Sequence, residues 1–325
     1  MKCIKKILCA FCVLAFAISA SGCYDGKDIE NVSVILAMGA DVEDGKNVFS
    51  FAIADINSKD NSSEAPVIIK KCEGANAYDA LYNLQKTQSK QLTLTHIECA
   101  IFSQNAQNIY KDTLYDMAGR LGVSNTSYIV ACDGNAGNLL EAISNTHETD
   151  FSVFIKDLLK NRKLMPKATL FDALNATKTN NDICIPMFAK LDDEIEYSMC
   201  IVDKNSNFLK IGFNDYNALN IYSVLKGYTN TLVIKNTDGA YGILLKEKPK
   251  IKVKNNRVEI EYIFENTEDL KYKNDAVKIT NSFVNELIKN DTDILNMQNL
   301  SKVGKFKNEN MISLKNMIVV TGVRV

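Results

Sequence analysis

The chain has no tryptophan among its 325 residues, and only two histidines and four prolines. Without an indole, an aromatic platform of the kind that stacks on sugars is excluded. The two imidazoles, His96 and His147, are far apart and belong to no Cys/His cluster, so they do not make a zinc site. His147 opens no H-E-x-x-H, and His96 reads as a structural residue inside a strand. The formal net charge is −1, with no long run of one sign, so neither a nucleic-acid nor an anionic-membrane partner is implied. No phosphate loop, dinucleotide fingerprint or G-x-S-x-G occurs, and no cofactor signature is present. Internal repeats and Pro- or Gly-rich linkers are also missing.

Three partial motifs fall short of chemistry. Asp203, Asn205 and Asn207 mimic the opening of a calcium loop, but Phe208 and Asn214 stand where the loop needs Gly and Glu. They read as a hairpin turn. Ser223 and Lys226 form an S-x-x-K whose companion S-D-N and K-T-G elements are absent; they read as one helix face. Asp192, Asp193 and Glu194 read as a solvated turn and not as an acid/base pair.

What the chain does have is an informative beginning. Lys2, Lys5 and Lys6 precede an apolar stretch, Ile7 to Ile18. At about 12 residues this is too short to span a bilayer core that needs about 20. Ala20-Ser21-Gly22-Cys23 follows. Small side chains let an extended backbone enter a peptidase cleft, and a cysteine thiol can carry a diacylglyceryl thioether. The segment resembles a bacterial lipoprotein signal, with Ala20 where Leu is commoner. Cleavage between Gly22 and Cys23 leaves an acylated Cys23 as the first mature residue. An ordinary secretory signal with an incidental cysteine is the alternative. Two acyl chains anchor firmly where one is marginal, at about 0.8 kcal/mol per buried CH₂.

Nine cysteines are present. Cys3, Cys9 and Cys12 leave with the signal, and Cys23 carries lipid. Cys72, Cys99, Cys132, Cys184 and Cys200 remain, mostly in apolar runs and without a C-x-x-C. They read as small buried hydrophobes, with a Cys184–Cys200 disulfide across neighbouring strands as the other possibility.

The mature chain, about 300 residues, suits one large domain or two to three small ones. Val32 to Gly39 and Asn47 to Ile56 read as strands around an Asp44-Gly45 hairpin turn. A polar loop spans 57–65, and Val67 to Ile69 is a third strand. Asn76 to Ser89 is an amphipathic helix capped by Asn76. Leu92 to Phe102 reads as one strand, followed by a helix ending at Gly119. Ser127 to Ala131 is a strand and Ala136 to Ser144 a helix. Two further helices cover 153–160 and Pro166 to Ala176, the second with Pro166 in its first turn.

Strands then dominate: Ile183 to Leu191, Ile195 to Val202, Phe208 to Phe213, and, after a helix over Asp215 to Lys226, four more up to Phe264. Asp275 to Lys289 is a long helix with Ala276, Ile279, Phe283, Leu287 and Ile288 on its apolar side. Met317 to Val325 is a last strand. The expected fold is multi-domain α+β. Residues 1–22 are the signal, 23–190 an α+β region with room for two subdomains, and 191–325 a second region of strand meander, long helix and terminal strand.

The order of short motifs carries a family resemblance. Gly22-Cys23-Tyr24-Asp25, then Asp28-Ile29-Glu30-Asn31, then Val34 to Asp41 ending in Gly39-Ala40-Asp41, resembles the opening of the Ger(x)C family. These are the lipoprotein C subunits of spore germinant receptors; Tyr24 stands where that family has Trp. Leu94-Thr95-His96-Ile97 is similar to its L-x-H strand, and Met117 to Arg120 to its helix ending in Arg. Gly134-Asn135-Ala136 with Leu139-Leu140-Glu141 resembles its G-x-A and I-L-E. Ile185-Pro186, Phe208 to Gly212 and Val319 to Val325 follow in order. The stretch 291–317 is shorter and more polar than in typical members.

The resemblance implies several mixed β-sheets flanked by helices, and no enzymatic activity. It implies assembly with integral-membrane A and B subunits on the outer face of the spore inner membrane, and so the features of a palmitate-bearing germination lipoprotein. The rival readings are a lipid-anchored solute-binding protein of an importer, which should show matching βα lobes about a hinge, and a surface-attached hydrolase.

Overall fold

A computed structural model describes residues 32–54, 67–146, 166, 168–191, 194–210, 215–236, 239–254, 257–295 and 318–324. The signal segment, Cys23, the 57–65 loop, His147, the 153–160 helix, Asp192 and Asp193 lie outside the described residues.

The chain enters through β1 (Val32–Glu43), which is continuously buried from Ala37 through Asp41. Such a run fits a strand covered on both faces. Asp44 (φ 49°) and Gly45 (φ 76°) then turn it into β2 (Lys46–Ala54), the paired positive-φ geometry that Asp-Gly favours. β3 (Val67–Glu73) follows. α1 (Ala77–Gln85) starts where expected, with the Asn76 side chain accepting from the Asp79 amide at 3.0 Å.

The single strand expected over Leu92 to Phe102 is two strands, β4 (Gln91–Thr93) and β5 (Cys99–Ser103). Both pair parallel with β1. Between them the buried apolar positions step from Leu94 to Ile97, three residues apart, which a period-2 strand cannot accommodate. His96 therefore lies exposed in a turn, a correction to its reading as a structural strand residue. α2 (Gln107–Gly119), β6 (Tyr128–Asp133) and α3 (Ala136–Thr146) come next. α4 (Leu170–Thr179) does not begin at Pro166. Thr169 is its N-cap, in a reciprocal capping box with Asp172, and that pair outcompetes the proline as the start signal.

β7 (Ile183–Leu191), β8 (Glu194–Val202) and β9 (Phe208–Lys210) complete a nine-stranded sheet of order β3-β2-β1-β5-β6-β7-β8-β9, with β4 on β1. β1, β5, β6 and β7 are parallel, and the flanks are antiparallel. Residue 190 thus falls at the β7–β8 turn, inside this sheet, and the sheet runs on to Lys210. On one face Met38, Phe51 and Phe102 pack with α1, α4 and α2, which contributes Leu114; on the other, Ile101, Val130 and Phe188 pack with α3.

The second region holds α5 (Asp215–Lys226), the hairpin β10 (Thr231–Asn236) and β11 (Gly239–Leu244), then β12 (Lys250–Lys254), β13 (Arg257–Ile263), α6 (Lys273–Lys289) and β14 (Ile318–Arg324). β14 pairs parallel with β13, and a Leu245–Phe264 bridge links the small sheets. The core of this region gathers Leu232, Val258, Tyr262, Phe283 and Leu287 together with Cys184, Met199 and Ile201 of the large sheet. Successive residues of β7 and β8 therefore serve different cores: Ile185 and Cys200 face the first, Cys184 and Ile201 the second. The two regions are unlike each other in sheet size and order, so the matching lobes of an importer's binding protein are not what the chain forms. Mixed sheets flanked by helices make the fold α+β.

Candidate functional site

The described residues converge most tightly where β1 meets α3. Asp41 is almost fully buried. Its Oδ1 accepts from the Ala136 amide at 2.8 Å and its Oδ2 from the Gly137 amide at 3.1 Å. These are orphan donors of the first helical turn, where the helix field favours an anion. Burial nonetheless raises the Asp41 pKa above its ordinary value; the two amides pull it the other way.

Gly134 turns the chain into α3 at φ 114°, a conformation for which glycine is suited. Asn135 Oδ1 accepts from the Asn138 amide at 2.8 Å, and its Nδ2 donates to Glu43. Gly39 lets the helix come close: a Cβ there would lie 3.2 Å from the Ala136 Cβ. Lys71 closes the outer side, donating to Asn138 at 3.0 Å and facing Glu141 at 3.6 Å. Gly39-Ala40-Asp41 and Gly134-Asn135-Ala136, nearly a hundred residues apart in the chain, are thus two halves of one joint. Nothing in either stretch alone marks its partner; the one available signal was that both belong to the same family pattern.

The other candidate residues are not brought together. Ser223 is fully buried on α5, while Lys226 is partly exposed at its last turn, where burial lowers its pKa. Asp203 Oδ1 accepts from the Asn205 and Asn207 amides, both at 2.8 Å, so it closes a turn as expected. Among the described residues no group of three or more His, Cys, Asp or Glu is placed to hold a metal ion.

Cys99, Cys132, Cys184 and Cys200 are buried and unpaired; Cys72 is half-buried and unpaired. Burial pushes the thiols of Cys132 and Cys200 up to about 12. The Cys184–Cys200 disulfide is overturned by register. Cys184 lies opposite Ile201 and Cys200 opposite Ile185, so the two thiols point to opposite faces of the sheet. An open cleft of about 550 Å³ lies at the β1–β2 tip, edged by Lys46, Asn47, Glu73, Asp79 and Asn83. Its Lys46–Glu73 pair, at 3.0 Å, is exposed.

One carboxylate spans the two regions. Asp182, just before β7, accepts from the Lys204 amide at 3.0 Å and from the Asp293 amide, beyond α6, at 2.9 Å.

Among curated proteins nothing matches the chain. The fold is similar to a solved structure described as the crystal structure of the GerBC protein. The TM-score is 0.51 at 13% identity, over 88% of this chain and 95% of that one; at that identity the likeness speaks to fold. The spore germination protein N-terminal domain family matches residues 25–190, just over half of the chain. That span contains both halves of the β1–α3 joint, and the chain belongs to the Ger(x)C family, the C subunits of spore germinant receptors.

Proposed function

We propose that this C subunit works as a lipid-anchored, non-enzymatic part of a nutrient-responsive receptor. It is held on the outer face of the spore inner membrane by a diacylglyceryl group on Cys23 and assembles there with integral-membrane A and B subunits. The observation that carries the reading is Ala20-Ser21-Gly22-Cys23, placed directly ahead of a family-matched domain that begins at Asp25. No helix among the described residues is long and apolar enough to cross a membrane; in this reading the acyl chains carry the attachment, and they suffice in pairs. What the geometry supplies is a body whose two main cores share strands β7 and β8. Its most tightly built polar centre, Asp41 with the α3 amides, is consumed in holding the fold together.

Cys23→Ala tests the anchor. Labelled fatty acid should enter the wild-type protein and not the variant, and the variant should leave the membrane fraction. Equal labelling of both defeats the anchor. A strain lacking the protein should sporulate normally and lose its response to a subset of nutrients. An unchanged response across a nutrient panel, in a strain stripped of paralogous receptors, would count against the receptor role.

A further inference from the structure

We infer that the end of the large sheet where β1 begins lies against the bilayer surface, and that the Asp44–Gly45 tip points away from it. This rests on the Cys23 anchor proposed above and adds an orientation to it. Nine peptide links separate Cys23 from Val32, a reach of at most about 32 Å. β1 itself spans 12 residues, so its far tip stands roughly 40 Å beyond Val32. The tether therefore favours one end of the molecule over the other.

The surface of that end fits an interfacial layer. Ile68 lies opposite Ile53 and so at the level of Ile35 near the start of β1; it is 42% exposed. Phe171, 60% exposed, is the most exposed large apolar side chain among the described residues. Its amide bonds Asn125, just ahead of β6. Tyr115 is exposed in the second half of α2, a helix that runs back toward the strand starts. Lys90 immediately precedes Gln91, the partner of Val32. Aromatic side chains with lysines among them suit the headgroup region, where ring and ammonium can each find their medium. Among the described residues of the large-sheet region, Tyr82 lies within α1 and Tyr78 is exposed at the other end. That end otherwise presents charged and amide groups, Lys46, Glu73, Asp79 and Asn83.

The absence of native tryptophan makes the test direct. Full-length acylated protein, its Cys23 modification confirmed by mass, is reconstituted in phosphatidylcholine vesicles with brominated acyl chains. Emission from Phe171→Trp should fall about twofold against unbrominated vesicles, as expected for an indole at the interface. Ile68→Trp, a second probe of the same end, should behave alike. Lys46→Trp, at the tip, should keep its emission. Unquenched probes at 171 and 68 on acylated protein overturn the orientation, leave the anchor standing, and assign this apolar end to a protein partner. Stronger quenching at Lys46→Trp overturns it too. A bare Cys23 thiol overturns the anchor and the orientation with it.

Discussion

The two regions solve the same problem with different means. The large sheet buries long apolar strands between helices on both faces, and Asp41 and Ser127 tie its strand ends to neighbouring backbone. The second region has only small sheets, and polar hooks run through its interior. Asn220 of α5, fully buried, donates to the Thr231 carbonyl and accepts from the Val233 amide, fixing the edge of β10. The Tyr262 hydroxyl meets Thr280 at 2.9 Å, and Thr321 of β14 donates to Asn281 of α6 at 2.6 Å. In this region satisfied polar contacts join apolar packing in setting register.

The largest test of that contrast removes the ring at the centre of the smaller core. Phe283→Ala should cost about 3–5 kcal/mol. Hydrogen exchange should then show α6 amides losing protection while those of β1 keep theirs; equal loss in both would mean that the regions unfold as one. Gly74→Ala acts on the other side. A Cβ there would sit 2.3 Å from the Ala80 nitrogen and 2.7 Å from its Cα, backbone atoms that cannot step aside. A loss of about 2–3 kcal/mol is expected in urea unfolding.

Thr280→Val keeps the shape and orphans the Tyr262 hydroxyl, for about 1–2 kcal/mol in the second region; a neutral result would deny the hooks any energetic role. The smallest effect is a slope. Because burial raises the Asp41 pKa above its ordinary 3.8, the folded state holds that proton more tightly. The contribution is complete below the ordinary value and is lost as pH rises through the raised one. Urea midpoints of wild type, relative to Asp41→Asn, should therefore fall with rising pH, and parallel curves would break the assignment.

Local chemistry made much of this readable in advance. Asp44-Gly45 specified its hairpin and Asn76 its helix start, because each acts on backbone within three residues. The Thr169–Asp172 box is equally local, but the expected helix start rested on Pro166 alone. The break at His96 was written in the spacing of Leu94 and Ile97. Thr280 and Val284 complete the buried face of α6, yet apolar periodicity passes over a threonine whose partner is on another strand. Register between strands set the fate of Cys184 and Cys200, and register is a property of pairs. The Asp41 joint was beyond reach for the same reason: a carboxylate and two amides 95 and 96 residues away leave no periodic trace.

Asp182 has a mechanical corollary. Its two oxygens grip the β8–β9 turn and the segment past α6 at once, at the root of a strand whose opposite faces belong to different cores. This clasp and the shared strands β7 and β8 join the large sheet to the smaller body at one place. Small displacements at one end of the molecule should therefore turn both bodies together, as a lever does about a fixed pin.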